Sequence, residues 1–160
     1  MSARLRDNEP ERLICSECGF IFYQDPKLVA CSIVEVDKRI ILLKRSIMPA
    51  KGMWVVPGGY VDRGEVLESA AMREALEECG IEIKITDLLG VYSYPGLTEV
   101  VVFYIADYVS GTIIAGDESL DISMVDCEEI PWDRLAFRST KDALRDYCEL
   151  KKKSIKKGEL

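Results

Sequence analysis

The chain has 160 residues, 48% of them hydrophobic, enough for one domain with a sizeable core. Its formal net charge of -7 argues against nucleic-acid binding by charge, and a small phosphorylated ligand would need cations to mask the carboxylates. There is no histidine, so histidine acid–base chemistry and histidine metal sites are excluded.

Residues 1–12 are polar and read as a tail. Cys15-Ser16-Glu17-Cys18-Gly19 follows, a turn of the zinc-knuckle kind. A structural zinc takes four ligands and only two thiols are present locally, so Cys15 and Cys18 predict an empty knuckle in a single chain. Two knuckles paired across a two-fold axis would complete a shared site. Otherwise the turn serves to pack Phe20 and Phe22 on the domain. With no secretory signal and no apolar run long enough to span a membrane, the six cysteines read as reduced thiols of a cytoplasmic protein.

Leu28 to Val36 and Arg39 to Lys44 are β-branched and apolar and flank Asp37-Lys38, which predicts a hairpin. Arg45 ends the second strand, either facing phosphate or simply solvated. Residues 47–53 form a loop. Trp54 to Val56, a short strand with Trp54 in the core, leads into Pro57-Gly58-Gly59. Further strands are expected at Glu82 to Ile85, Leu89 to Tyr94, Glu99 to Val109 (the longest apolar run) and Asp121 to Asp126. Ser139 with Asp142 is placed to cap a last helix that buries Ala143, Leu144, Tyr147 and Cys148. Lys151 to Lys157 reads as a solvated end. The expected division is a knuckle segment over 1–27, one domain over 28–153 and a tail over 154–160.

The chemistry concentrates between Gly59 and Ile81. Residues 66–79 lack proline and glycine and are rich in helix formers, and Gly80 stops them. At roughly 100° per residue, Arg73, Glu74, Glu77 and Glu78 share an arc of about 140°. Ala71, Met72, Ala75, Leu76 and Cys79 fill the opposite side, which is expected to pack. Carboxylates at i, i+3 and i+4 repel one another, and the helix C-terminus disfavours them further. A solvated acidic face would carry that cost for nothing, whereas a hard divalent cation would remove it.

The pattern G-x5-E-x7-R-E-U-x-E-E-x-G-U, filled by Gly59, Glu65, Arg73, Glu74, Glu77, Glu78, Gly80 and Ile81, resembles the signature of the Nudix hydrolases. Ala75 at an aliphatic position is a small departure. The resemblance implies an α/β/α sandwich with a mixed central sheet, and metal-dependent hydrolysis of a nucleoside diphosphate linked to another group. It implies Mg2+ or Mn2+ held by Glu74, Glu77, Glu78 and the Gly58 carbonyl. Arg73 would hold a catalytic glutamate by a salt bridge, with Glu65 as its partner or an outer ligand. The base would be Glu118, from a loop well after the helix, or else Glu77 or metal-bound hydroxide. Tyr92, Tyr94 and Tyr104 are candidates to stack on an adenine, Tyr94 foremost, or else are core or rim residues.

Outside this stretch, Cys18-Gly19, Tyr23, Asp25-Pro26-Lys27, Leu43-Lys44-Arg45, Gly52-Met53-Trp54, Glu118-Ser119, Pro131-Trp132-Asp133 and Leu135-Ala136-Phe137 resemble the ADP-ribose/FAD pyrophosphatase branch. Some of its members carry an N-terminal zinc ribbon, of which the upstream cysteine pair is missing here. This branch implies ADP-ribose or FAD as substrate, AMP as product and a homodimer. A nucleoside-triphosphate or dinucleoside-polyphosphate hydrolase is the alternative within the family. A ligand-sensing regulator would typically lack glutamates that are all present here.

Overall fold

The computed structural model describes residues 2–4 and 6–157; residues 158–160 of the expected tail lie outside the described residues. A small antiparallel sheet is formed by β1 (Ser2–Ala3), β2 (Arg12–Ile14) and β3 (Ile21–Phe22). The N-terminal stretch read as a tail is therefore partly paired. The knuckle turn joins β2 to β3, with the Gly19 N–H donating to the Cys15 carbonyl at 3.1 Å. Phe20 and Phe22 are 65% and 54% exposed, so the turn does not pack them on the domain. Among the described residues none before Ala30 is buried.

The main sheet runs β10-β5-β4-β9-β8. Its strands are β4 (Lys27–Val36), β5 (Arg39–Arg45), β8 (Ile81–Ser93), β9 (Glu99–Gly111) and β10 (Ser119–Val125). Short β6 (Trp54–Val55) and β7 (Gly58–Tyr60) pair with β5 and β4. Only the β4–β9 pairing of the described ladders is parallel, so the sheet is mixed.

Alternation along the central strands sends successive side chains to opposite faces. Cys31, Ile33, Ile40, Leu42 and Phe103 pack with Ala143, Leu144 and Tyr147 of α2 (Arg138–Lys157). Val34, Ile41 and Leu43 pack with Ala75 and Cys79 of α1 (Leu67–Cys79), and Ala30 and Val102 with Ala70 and Ala71. The expected α/β/α sandwich follows from these two cores.

Several details differ from the sequence reading. The strands expected at 82–85 and 89–94 are one strand, β8, which follows β9 through register shifts near Ile83, Asp87 and Gly90. Met72 and Leu76 do not pack; they are 38% and 52% exposed. On the helical wheel Glu74 and Glu78 fall between Ala70 and Ala71, so the sheet-facing side carries two carboxylates and turns Met72 and Leu76 outward.

Ser139 is no cap. It lies inside α2 and is buried, while Asp142 accepts from Tyr94 and pairs with Arg138 and Arg145. The helix continues past residue 153 to Lys157, and Lys151 is not a solvated end: its Nζ donates to Glu35 Oε2 at 2.9 Å and to the Lys38 carbonyl at 2.7 Å. The expectation of six reduced thiols is also corrected, because Cys127 and Cys148 form a disulfide between the loop after β10 and α2.

Candidate active site

α1 begins at Leu67 without a side-chain cap and ends on Gly80, whose left-handed backbone lets its N–H reach the Leu76 carbonyl. β7 runs antiparallel to β4 beside it. Where they meet, the Gly58 N–H donates to Glu78 Oε2 at 2.8 Å. A Cβ on Gly59 would stand 2.4 Å from Glu74 Oε1, so only glycine admits the carboxylate there.

Arg73 organises the remaining acids. Its Nε and Nη2 grip both oxygens of Glu65 at 2.8 and 3.0 Å, a bidentate pair. Its Nη1 reaches Glu74 at 2.6 Å and Glu77 at 3.1 Å, and Nη2 also donates to the Tyr60 carbonyl. Glu65 is fixed further by the Asp62 N–H at 2.9 Å. The Glu74 side chain is only 14% exposed and that of Glu77 58%, so Glu74 sits inside the cleft and Glu77 on its rim.

The electrostatics follow from this placement. Hydrogen bonds from Arg73 hold the Glu65 carboxyl down at about 2. Burial pushes Glu74 up, opposed by Arg73 and reinforced by the charges of Glu77 and Glu118. Burial pushes Glu78 up to about 7 despite the Gly58 N–H, with Glu74 and Glu118 adding to the rise and Arg45 opposing it. Two partly desolvated carboxylates that repel each other are a donor set suited to a hard cation. Among the described residues no three acidic or thiol side chains already converge as a metal centre, for Arg73 bonds Glu74 and Glu77.

Glu118 is brought near by the loop before β10. The N–H groups of Ile114 and Gly116 donate to the Cys79 and Glu78 carbonyls at the end of α1, at 3.1 and 2.9 Å. A Cβ on Gly116 would lie 2.4 Å from the Glu77 carbonyl, so the loop can lie this close only with glycine. The Ser46 N–H then donates to the Glu118 carbonyl at 2.9 Å. Glu118 is exposed, and its charge reaches both Glu74 and Glu78.

Beside the acids opens a cavity of about 470 Å3. Gly58, Gly59 and Tyr60 form its border with α1; Arg45, Tyr94, Glu99, Phe137 and Arg138 stand among its largely apolar walls. Arg45 donates to the Pro49 carbonyl at 2.9 Å and lies 5.2 Å over the Phe137 ring. The two residues meet because β6 pairs with β5 on one side and takes the Ala136 N–H on its Trp54 carbonyl on the other.

The structure thus gathers Gly58, Glu65, Arg73, Glu74, Glu77 and Glu78, sets Glu118 near them, and puts Arg45 and Tyr94 in the adjoining cavity. Cys15 and Cys18 lie exposed at the small sheet and do not line that cavity. Phe137 ends the run Leu135-Ala136-Phe137, but nothing local in the sequence marks it or Arg138 as a cavity wall.

The sequence profile of the NUDIX domain matches residues 25–147. The chain belongs to the Nudix family. It is a Nudix hydrolase, and the stretch from Gly59 to Ile81, with α1 inside it, carries the pattern of the Nudix box. It is 36% identical over 133 residues to an ADP-ribose pyrophosphatase of Methanocaldococcus jannaschii, covering 81% of this chain and 77% of that protein. It is 32% identical over 109 residues to the NAD-capped RNA hydrolase NudC of Salmonella heidelberg, covering 68% of this chain but only 42% of that protein. Among solved structures, a Nudix hydrolase of Nitrosomonas europaea superposes with a TM-score of 0.86 at 35% identity, covering 93% of this chain and 85% of that one.

Proposed function

We propose that this Nudix hydrolase cleaves the internal pyrophosphate of a nucleoside diphosphate linked to another group, ADP-ribose or FAD foremost, and releases AMP. The observation that carries the reading is the pair of half-buried carboxylates, Glu74 and Glu78, packed against Gly58 and Gly59 beside a largely apolar cavity that these glycines and Arg45 help to line. The similarity to the archaeal ADP-ribose pyrophosphatase supports the choice of substrate.

The donor set fits Mg2+ or Mn2+, with Glu74, Glu78 and the Gly58 carbonyl as ligands and Glu77 at the rim for a further ion. Such a cation, when bound, neutralises the diphosphate and eases attack on phosphorus. Arg73 keeps Glu65, Glu74 and Glu77 in place by the bonds described and makes no contact with substrate. Arg45 offers its guanidinium to a phosphate, and Tyr94 its ring to the part of the nucleotide that does not react. Glu118 takes a proton from the attacking water. The water oxygen bonds to one phosphorus and the bridging P–O bond breaks. ADP-ribose then yields AMP and ribose 5-phosphate, and FAD yields AMP and FMN.

Comparing kcat/KM with Mg2+ for ADP-ribose, FAD, NADH, diadenosine polyphosphates and the nucleoside triphosphates tests the reading. ADP-ribose or FAD is expected to lead. A clear preference for triphosphates would overturn the substrate and leave the hydrolase standing.

A further inference from the structure

Tyr92, in β8, and Tyr94, just beyond it, both reach across to α2. Their hydroxyls donate to Asp146 Oδ2 at 2.6 Å and Asp142 Oδ2 at 2.8 Å. Two residues along a strand advance about 6.6 Å and four along a helix about 6 Å, so the bonds match as two parallel rungs. The rungs differ in surroundings. Tyr92 sits edge-on to Phe103 in the core, with ring centres 5.3 Å apart. Tyr94 lines the cavity together with Arg138, Ser139 and Thr140 of the first turn of α2.

Arg138 closes a triangle at the Tyr94 rung. Its guanidinium lies 4.4 Å over the Tyr94 ring, and its Nε stands 3.4 Å from the same Asp142 oxygen that the tyrosine bonds. Arg145 pairs with the other oxygen at 3.6 Å. Phe137, the residue before Arg138 and also a lining residue, is held under Arg45. The start of α2 is therefore held by two contacts at the cavity wall, through Phe137 to Arg45 and through Arg138 and Asp142 to Tyr94.

We propose that Tyr94 is a positioning residue which, with Asp142 and Arg138, fixes the α2 wall of the cavity against the non-reacting half of the substrate. This rests on the cavity being the nucleotide site. The clasp touches neither Glu74, Glu78 nor Glu118, so it contributes equally to ground-state and transition-state binding, and its loss raises KM without lowering kcat.

The test compares the parent with Y94F, Y94L, R138Q and Y92F, on whichever nucleotide of the panel the parent hydrolyses best. A preference for triphosphates would therefore count against the proposed substrate without preventing the comparison. Loss of one hydrogen bond to a carboxylate is expected to raise KM about fivefold in Y94F. Y94L should raise it further, and kcat should stay within about twofold in both. R138Q should also raise KM, and its side chain is 71% exposed, so its loss does not threaten folding. Y92F removes a bond of the same kind away from the cavity and should melt lower while keeping the parent KM. Equal KM changes in Y94F and Y92F, or a fall in kcat at unchanged KM in Y94F and R138Q, would overturn the positioning role.

Discussion

Replacing Glu78 with glutamine separates the stability of the site from its chemistry. In the metal-free protein the Glu78 carboxyl is pushed up to about 7 from 4.5, first by burial and then by Glu74 and Glu118. A carboxyl that holds its proton more tightly folded than unfolded gives its full stabilising contribution below about pH 4.5 and loses it as pH rises through about 7. At 1.36 kcal/mol per pH unit, that gap corresponds to about 3 kcal/mol. Glutamine cannot ionise and still offers an oxygen to the Gly58 N–H. Metal-free E78Q should therefore exceed the parent in stability by up to about 3 kcal/mol at pH 8 and match it near pH 4.5. For a chain of this size the gain at pH 8 corresponds to a Tm about 6–12 °C higher. The same variant should lose most of its hydrolytic activity with Mg2+, since an amide is a neutral and poorer ligand for a hard cation. Thermal melts of both proteins in EDTA from pH 5 to pH 8 measure the first effect and steady-state turnover the second. If the melts coincide at pH 8, Glu78 does not sit in a desolvated site among like charges, and the electrostatic reasoning fails.

Glu118→Gln should lower kcat by more than about tenfold, or about 1.4 kcal/mol of barrier, with little change in KM; a smaller fall in steady-state assays returns the base to Glu77 or the metal's own water. Reducing the Cys127–Cys148 disulfide, which closes a separation of 21 residues, should cost about 3 kcal/mol of stability. Melts with and without a thiol reductant check this, and an unchanged Tm would contradict it. Protein purified without chelator should hold no zinc as a monomer and at most one per two chains as a dimer, because each knuckle offers two thiolates of the four required; elemental analysis showing one zinc per chain would refute that count.

The Nudix box was legible because its signals are local. Helix formers run unbroken to Gly80, and the acids repeat at spacings that only a ligand would justify. The β-branched and apolar runs were equally plain as strands, while the mixed sheet with a helix on each face was what the resemblance to the Nudix hydrolases implied. What escaped was decided by partners distant in sequence. β8 looked broken between Ile85 and Leu89 because its bulges are set by β9. Glu74 and Glu78 looked like an outer face because charge suggests exposure, yet Gly58 and Gly59 leave room for them on the packing side. Phe137 meets Arg45 only because both flank β6, and Asp142 looked like a capping partner because its tie to Tyr94 spans 48 residues. The Cys127–Cys148 bridge has no local mark at all.

The central claim is that the box carboxylates hold a cation that makes an internal pyrophosphate labile. Product analysis of ADP-ribose incubated with the enzyme tests it most directly, with Mg2+, with EDTA alone, and with Mg2+ restored. AMP and ribose 5-phosphate are expected in equal amounts with Mg2+, none with EDTA, and full recovery when the cation returns. Turnover in EDTA at the Mg2+ rate, or products other than these two, would contradict the claim.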